Sequence, residues 1–380
     1  MVSIRFVLRR TVVRKVRLLA APAFACLYNG HVKAWDVIII GAGIIGLSLA
    51  RELRKRSAAV LLIDRGMPGR EASHAAAGML AATPGEMPPT LLPFASASLQ
   101  LYPEFVRELQ DETGIDVDFR RDGSLLFTEC PPEASRFLTA EELSELAPNV
   151  NAQGRRAVYL SEASIDPRAL VSAALQACKH RGVDTSFADA VISVDLADDR
   201  VAGVSTAKTR FAAPTVVNCA GAWAGQIGPS PIPTRPVKGQ MLSIVMPTRN
   251  LLRHVIRTPD VYLVPRSDGR LLIGATLEEA GYDKHINTTT IQGFHRAALA
   301  AVPALEDARM LEDWAGLRPA TPDSLPILGA TRVPGYFVAT GHFRDGILLT
   351  PVTGRAMAQL LIGENCAYDL AAFSAARFGL

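Results

Sequence analysis

A glycine-rich turn between an apolar strand and a helix constrains the fold of this chain more than any other feature. Four apolar residues follow Asp36, and Gly41, Gly43 and Gly46 then open a helical segment. In this arrangement the first glycine makes a tight turn, the second lets a ligand approach the backbone, and the third lets the helix pack on the strand. The N-terminal N–H groups of such a helix bind phosphate. The motif therefore predicts a Rossmann-like α/β unit that binds a dinucleotide.

An acidic residue after the second strand supports this prediction. The apolar run 58–63 ends at Asp64, eighteen residues beyond Gly46. A carboxylate in this position hydrogen-bonds ribose hydroxyls and disfavours a 2′-phosphate, and therefore NADP. A glycine-rich turn in a β-α unit that does not bind a dinucleotide would not require an acidic residue at this position. The pattern leaves both FAD and NAD open.

Length and charge exclude several classes of function. The 380 residues suffice for two domains or one large bipartite domain, and 49% hydrophobic with 20% charged residues is typical of a globular protein. Residues 1–35 carry seven basic residues and no acidic one, so the remainder has 33 basic against 37 acidic residues, a net charge of −4. This balance provides no basic face for nucleic acid.

Cysteines and histidines give no metal or disulfide signature. The five cysteines form no C-x-x-C pair, and the seven histidines show no H-E-x-x-H spacing. We therefore expect reduced thiols in a cytoplasmic protein, and no metal site.

The first 35 residues differ from the rest. Two arginines at positions 9 and 10 precede the apolar run 18–28, an arrangement loosely like an export signal. Basic residues at 14, 15 and 17 interrupt the start of the run, and its eleven residues are too few to span a bilayer. We expect an unstructured extension or a start codon assigned too far upstream, with export as the alternative, and no stable membrane association.

A run of mostly small residues at 71–80 bears on the choice between FAD and NAD. Small side chains would be expected where a backbone lies against a flat ring system, although a helix packed in a core could have the same composition. Other informative stretches are the apolar strand with a glycine turn at 215–224, the hairpin 261–276 around Ser267-Asp268-Gly269, the run 314–319, and 341–349 with a helix after it.

Together these stretches resemble the D-amino acid oxidase family of FAD-dependent oxidoreductases, its glycine oxidase branch most closely, from about residue 36 to about 362. The resemblance implies an α/β (α+β) fold, with a Rossmann-like FAD-binding domain (36–95, 156–232 and 313–365) interleaved with a mixed antiparallel-sheet substrate domain (96–155 and 233–312). Sarcosine oxidases of the same superfamily tether flavin through a cysteine soon after the position of Arg318. The stretch 319–324 has none, so the FAD is expected to be non-covalent.

The resemblance also implies which residues hold FAD. They come from the glycine turn, the acid after the second strand, the small-residue run and the loop before the last helix: Gly41, Gly43, Ile44, Ile45, Gly46, Asp64, Arg65, Ala72, Ser73, Ala77, Gly78, Met79, Val191, Gly221, His342, Phe343, Arg344, Asp345, Gly346, Ile347 and Leu348. For His342 a packing role in the core is the alternative. The helix at 351–361 would direct its positive N-terminal end at the flavin and favour the reduced ring.

By the same resemblance Arg318 binds the substrate carboxylate, Tyr262 adds a hydroxyl to it, and Arg344 lines the site beside the flavin. A guanidinium fork matches a carboxylate bidentately, and no acid or base is obligatory because the cofactor supplies the chemistry. A structural ion pair for Arg318 and a core position for Tyr262 are the alternatives. Glycine oxidases often have histidine at the position of Asp260 and can have methionine at that of Leu277, so the preference for glycine is open.

The implied function is oxidative deamination of glycine and other small amines or D-amino acids by hydride transfer to flavin N5. Oxygen becomes hydrogen peroxide, the products are a 2-oxo acid and ammonia, and the pathway is synthesis of the thiamine thiazole. One alternative is a dehydrogenase of the same fold that acts on D-amino acids or a secondary amine and reduces a quinone or partner. Another is a flavin-carrying electron-transfer subunit. Homo-oligomerisation is left open.

Overall fold

The protein is described by a computed structural model that covers residues 34–380 and two short strands before them. The strands of these described residues are β1 Leu27–Tyr28, β2 His31–Val32, β3 Val37–Ile40, β4 Val60–Ile63, β5 Met79–Leu80, β6 Ser124–Phe127, β7 Ala157–Leu160, β8 Ala163–Ser164, β9 Asp184–Ser186, β10 Val191–Ala197, β11 Arg200–Thr206, β12 Arg210–Ala212, β13 Val216–Asn218, β14 Arg235–Val245, β15 Val255–Arg257, β16 Tyr262–Pro265, β17 Arg270–Gly274, β18 Arg309–Ala320, β19 Ile327–Ala330 and β20 Tyr336–Thr340. The helices are α1 Ile44–Lys55, α2 Ala72–Ala75, α3 Leu92–Thr113, α4 Ala140–Leu146, α5 Pro167–His180, α6 Thr288–Ala301 and α7 Thr350–Leu361. Within 34–380, no helix combines the length and apolarity needed to cross a membrane.

A six-stranded sheet, β19-β20-β13-β3-β4-β9, forms the centre of the Rossmann-like part, and all neighbours except β19 and β20 are parallel. The apolar run of β3 forms a strand because both of its faces are buried. Val37 and Ile39 pack with helices α1, α3, α5 and α7, whereas Ile38 and Ile40 pack with the β10-β11-β12 sheet. The predicted strand–turn–helix–strand unit is therefore confirmed.

A seven-stranded sheet, β18-β14-β17-β16-β15-β6-β7, forms the second layer and is antiparallel except between β15 and β6. Its strands alternate between two apolar clusters, as a period of two requires. Leu263 and Ile273 pack with Phe294 of α6, whereas Val264 and Leu272 belong to the cluster on the opposite face. The predicted hairpin is confirmed as β16 and β17.

Helix α3 packs where the sequence did not place it. The predicted substrate domain includes residues 96–155, but this helix packs against α5 and α7 in the core of the Rossmann-like part. Ser98 Oγ donates to the Leu348 carbonyl at 2.6 Å, and the hydroxyl of Tyr102 donates to the carbonyl of Ile347. Helical periodicity predicts an apolar face but not which sheet that face covers. The division into two domains stays a prediction.

Trp35, the last residue of the predicted extension, belongs to the packed part of the chain. Its side chain is 2% exposed and its Nε1–H donates to Asp184 at 2.7 Å. The other residues of the predicted extension lie outside the described residues, apart from Ala34 and strands β1 and β2. The exposed Ala34 is therefore a better last residue for the predicted extension than the buried Trp35.

Two truncations test this boundary. Deleting residues 1–33 should leave the melting temperature and FAD content unchanged. Deleting residues 1–36 also removes Trp35 and the Asp36 carboxylate, which accepts the N–H of Ala59 at 2.7 Å. Loss of a buried tryptophan costs ~3–5 kcal/mol, so a much lower melting temperature is expected. Equal melting temperatures for the two truncated proteins would contradict the boundary.

Candidate active site

A cavity of about 1310 Å³ is lined by residues of both large sheets. It opens where the parallel strands β3, β4 and β13 end, which is where α/β sheets bind their ligands. Ligand pockets commonly measure ~300–1,000 Å³. The cavity therefore has room for a dinucleotide together with a small substrate.

Two glycines of the turn after β3 are required by their surroundings. Gly41 has φ of +105°, and a Cβ on it would lie 2.5 Å from the Cys219 carbonyl oxygen. A Cβ on Gly46 would lie 2.0 Å from the carbonyl oxygen of Gly41. Gly46 does not itself line the cavity, so it acts by packing α1 against the turn. The N-cap residue Gly43 has no side chain to cap helix α1, and the N–H of Ile44 donates to Ser73 Oγ at 3.0 Å, so the N–H groups of Ile45 and Gly46 are the ones that can meet an anion.

Asp64 holds two turns together and still faces the cavity. One carboxylate oxygen accepts the N–H of Ala42 at 2.7 Å and the other accepts that of Gly66 at 2.8 Å. Each carboxylate oxygen has a second lone pair, so both can also accept ribose hydroxyls. The glycine turn, the free helix end and this acid together fit the adenosine and phosphate part of a dinucleotide.

The predicted cofactor residues all line the cavity except Gly46 and Leu348. Leu348 is buried in the core instead, with its carbonyl bonded to Ser98. The small-residue run forms a single helical turn, α2, and then extends past Ala77 and Gly78 along the cavity. His342 lines the cavity, while its ring is buried and shares a hydrogen bond with Thr353 Oγ1 at 3.2 Å. Burial lowers the pKa of His342 to about 3, so its ring is neutral.

Arg318 and Tyr262 meet at one end of the cavity. The Arg318 guanidinium lies across Gly239, where a Cβ would be 2.2 Å from Nη1, and Nη1 donates to the Thr276 carbonyl at 3.0 Å. Among residues 34–380, no carboxylate oxygen lies within 4.0 Å of this guanidinium. Burial lowers the pKa of Arg318, and the Arg344 cation acts in the same direction. Burial raises the pKa of the Tyr262 hydroxyl, which lies 3.2 Å from Met241 Sδ.

The two positions that differ from glycine oxidases do not reach the cavity. Asp260 is at the surface, where its carboxylate pairs with Arg155 at 3.2 Å. Leu277 is 64% exposed, and neither residue lines the cavity. The Asp260 side chain therefore points away from the cavity, and Leu277 is not part of the cavity wall.

Two groups of cavity residues were missed by sequence reasoning. Arg257 pairs with Glu86 at 2.5 Å and with Glu162 at 3.1 Å, which ties the cavity loop 84–87 to strand β15. These charges come from three separate segments, so no local signal reveals them. Arg65 stacks on Trp223 with its Cζ 3.7 Å from the ring centre. Trp223 stands two residues after the predicted Gly221, and that spacing was the available signal.

Comparison with known proteins agrees with this geometry. The family described as FAD dependent oxidoreductase (DAO) matches residues 36–360. The hydrogen cyanide synthase subunit HcnC of Pseudomonas aeruginosa is 33% identical and aligns with 91% of this chain and 97% of that protein. The bifunctional protein ThiO/ThiG of Synechocystis is 34% identical over 90% of this chain and 54% of its own length.

The fold agrees as well. The crystal structure of glycine oxidase from Geobacillus kaustophilus superposes with a TM-score of 0.84 at 32% identity, covering 90% of this chain and 98% of that one. The resemblance predicted from the motifs is thereby confirmed. This chain belongs to the DAO family of FAD-dependent oxidoreductases, and its cofactor is FAD.

Proposed function

We propose that the protein oxidises glycine and related small amines with O2. Glycine, water and O2 would give glyoxylate, ammonia and H2O2. The observation that carries the proposal is the half-buried Arg318, which faces the cavity without a carboxylate partner among the described residues. Bound FAD supplies the hydride acceptor. The rest of the requirement is to bind and orient a small amino acid.

A half-buried cation without a counter-charge at contact distance loses hydration, and a substrate carboxylate would offset that loss. Charged groups in protein interiors are normally paired. Arg318 donates to the carbonyl of Thr276 and interacts with the Tyr262 hydroxyl, and its remaining N–H groups can bind both oxygens of a carboxylate. The Tyr262 hydroxyl at the same end of the cavity can donate a further hydrogen bond. We infer that these two side chains orient the α-carbon.

The charge of the site also acts on the substrate amine. Arg318 and Arg344 both line the cavity, and nearby cations disfavour a protonated amine. A bound amino acid would therefore lose its ammonium proton more readily than in water. The neutral amine is the form that can lose a hydride, so no protein base is needed at this step.

The relatives favour two versions of this chemistry. The likeness to glycine oxidase and to ThiO/ThiG supports glycine oxidation that supplies thiazole synthesis. HcnC is named as a subunit of hydrogen cyanide synthase, and it aligns along nearly its whole length. Because a subunit acts together with another protein, this likeness is compatible with the second candidate, a dehydrogenase that passes electrons to a partner.

One set of assays separates these versions. Purified protein is given glycine, sarcosine, D-alanine and D-proline, with H2O2 release measured in air and flavin bleaching measured without oxygen. Peroxide with bleaching supports the oxidase, and bleaching without peroxide supports the dehydrogenase. The absence of both peroxide and bleaching with every substrate would contradict the proposed function.

Acid precipitation should release the FAD, because no cysteine lies in 319–324 to bind it covalently.

Asp345 gives the site a pH dependence. Burial raises the pKa of its carboxyl to about 6, although the Arg344 cation opposes the shift. Above pH 6 the ionised carboxylate opposes the attraction of Arg318 and Arg344 for an anion, and below pH 6 the neutral acid does not. Binding of glycolate, a carboxylate that lacks the amine, should therefore tighten about fivefold from pH 7 to pH 5, as expected for about 1 kcal/mol between partly screened charges. Asp345→Asn should bind glycolate equally at both pH values, and a retained pH step would assign it to another group.

A further inference from the structure

The cavity segment 74–78 is held by hydrogen-bond donors from other parts of the chain. Four of its carbonyl groups accept long-range bonds: His74 from Arg168 Nε at 3.4 Å, Ala75 from Trp314 Nε1 at 3.1 Å, Ala77 from Arg266 Nη2, and Gly78 from the N–H of Ile165 at 2.9 Å. The segment has little of its own to hold it, because residues 75–78 have small side chains and its helix is one turn long.

The direction of these bonds is the informative feature. Ala75, Ala77 and Gly78 line the cavity, whereas Trp314 and Arg266 do not. The carbonyl groups of Ala75 and Ala77 are therefore turned towards donors behind the cavity wall. The surface that residues 75–78 present to the cavity therefore lacks the carbonyl oxygens of Ala75 and Ala77.

Arg266 shows that this arrangement is costly. Its side chain is 1% exposed, and Nε and Nη1 have no hydrogen-bond partner among the described residues. A buried donor without a partner destabilises a fold. The carboxylates of Asp166 and Asp118 attract the guanidinium, which offsets part of the cost of its charge but gives Nε and Nη1 no hydrogen bond. The hydrogen bond that the side chain does make goes to the cavity wall at Ala77.

The segment lies at the end of the cavity where the substrate would bind. Ala77 packs in one apolar cluster with Met241, Val264 and Leu272, and Tyr262 packs against that cluster. Trp314 and Met241 are paired across the neighbouring strands β18 and β14. A flavin ring bound beside the substrate at this end of the cavity would lie near this wall.

We propose that Arg266 and Trp314 are positioning residues that raise the reduction potential of the flavin by keeping the carbonyl oxygens of Ala77 and Ala75 turned away from it. Reduction adds negative charge to the ring, and dipoles fixed around a site act strongly on charge that develops there. An oxygen turned inwards would oppose reduction, while the Arg266 cation behind the wall favours it. The proposal rests on the proposed function only for the location of the ring.

Trp314→Phe is the most conservative test, since it removes one N–H donor and keeps an aromatic ring. Arg266→Met removes the other donor with its charge. The midpoint potential is measured by dye equilibration without substrate, so the result does not depend on whether glycine is oxidised. Each variant should shift the reduction equilibrium about tenfold towards oxidised flavin, which is about 30 mV for two electrons. For an oxidised amine, kcat should fall more than KM rises.

Trp35→Phe is the matched control, because it also removes a long-range Nε1 bond, to Asp184, from a tryptophan that does not line the cavity. Its potential should equal that of the wild type. An unchanged potential in a flavin-loaded Trp314→Phe or Arg266→Met protein would overturn the proposal, as would an equal shift in the control. Loss of FAD from both variants would also overturn it, because the donors would then serve to hold the fold.

Discussion

Arg318→Ala is expected to lower kcat/KM for glycine at least about 10-fold while the protein keeps its FAD and its visible spectrum. The change removes charge-assisted hydrogen bonds to the substrate carboxylate, which contribute ~1.5–3 kcal/mol. Each ~1.4 kcal/mol is a factor of ten in kcat/KM. The substitution breaks no ion pair among residues 34–380, because the guanidinium donates to the Thr276 carbonyl and has no carboxylate oxygen of these residues within 4.0 Å. Steady-state kinetics with flavin absorbance as the loading control measures the effect.

Three comparisons isolate the carboxylate contact from general damage. Arg318→Lys should restore activity only in part, since a single ammonium cannot reproduce the planar fork. Arg155→Ala removes an arginine that pairs with Asp260 outside the cavity, and it should leave kcat/KM unchanged. A simple amine without a carboxylate should be oxidised equally by Arg318→Ala and wild type. Equal losses for glycine and that amine would mean that Arg318 is structural.

Gly46→Ala should weaken FAD binding by about 10–100-fold. The added methyl group would lie 2.0 Å from the Gly41 carbonyl oxygen, and neither backbone segment can retract as a flexible side chain could. Overpacking of this kind costs ~1–3 kcal/mol or more. Relief would move α1 away from the turn that is expected to hold the phosphates. Fluorescence titration of the apoprotein with FAD measures the change.

Gly293→Ala is the control for the effect of adding a methyl group to a helix. Gly293 lies in α6, and no heavy atom is found within 4 Å of the Cβ it would gain. Alanine is the better helix former, so FAD affinity should be unchanged and stability equal or higher. Wild-type FAD affinity in Gly46→Ala would show that α1 can shift without disturbing the site.

Local signals predicted where the glycine turn and Asp64 lie in the fold. The glycine turn, Asp64 and the strands β3 and β4 each depend on residues that are neighbours in sequence, and the structure places them as expected. Contacts between distant segments were not predictable in this way. The packing of α3, the outward direction of Asp260 and the pairing of Arg257 with Glu86 depend on which elements meet in three dimensions. No periodicity or spacing in the sequence encodes them.

The substrate end was predicted from a resemblance rather than from residue chemistry. A buried arginine on a strand has many ordinary explanations, and the sequence cannot show that Arg318 lacks an acid partner. The glycine that makes room for its guanidinium, Gly239, is on a different strand, β14. Sequence gives the residue type, whereas the absence of a counter-charge among the described residues becomes visible only in the structure.

Strand β18 has a consequence for how such an enzyme can change. Trp314, Gly316 and Arg318 are at every second position of the strand and therefore share one face. Trp314 donates to the carbonyl of Ala75, and Gly316 makes room for the Ala75 side chain. Arg318 lines the cavity at the end proposed to bind the substrate. A substitution that moves this strand would alter the flavin environment and substrate anchoring together. New substrate preferences should therefore arise more readily in loop 84–87 and at 257–259, which line the same cavity. Directed evolution towards larger amines should accumulate its changes in those loops and leave β18 intact.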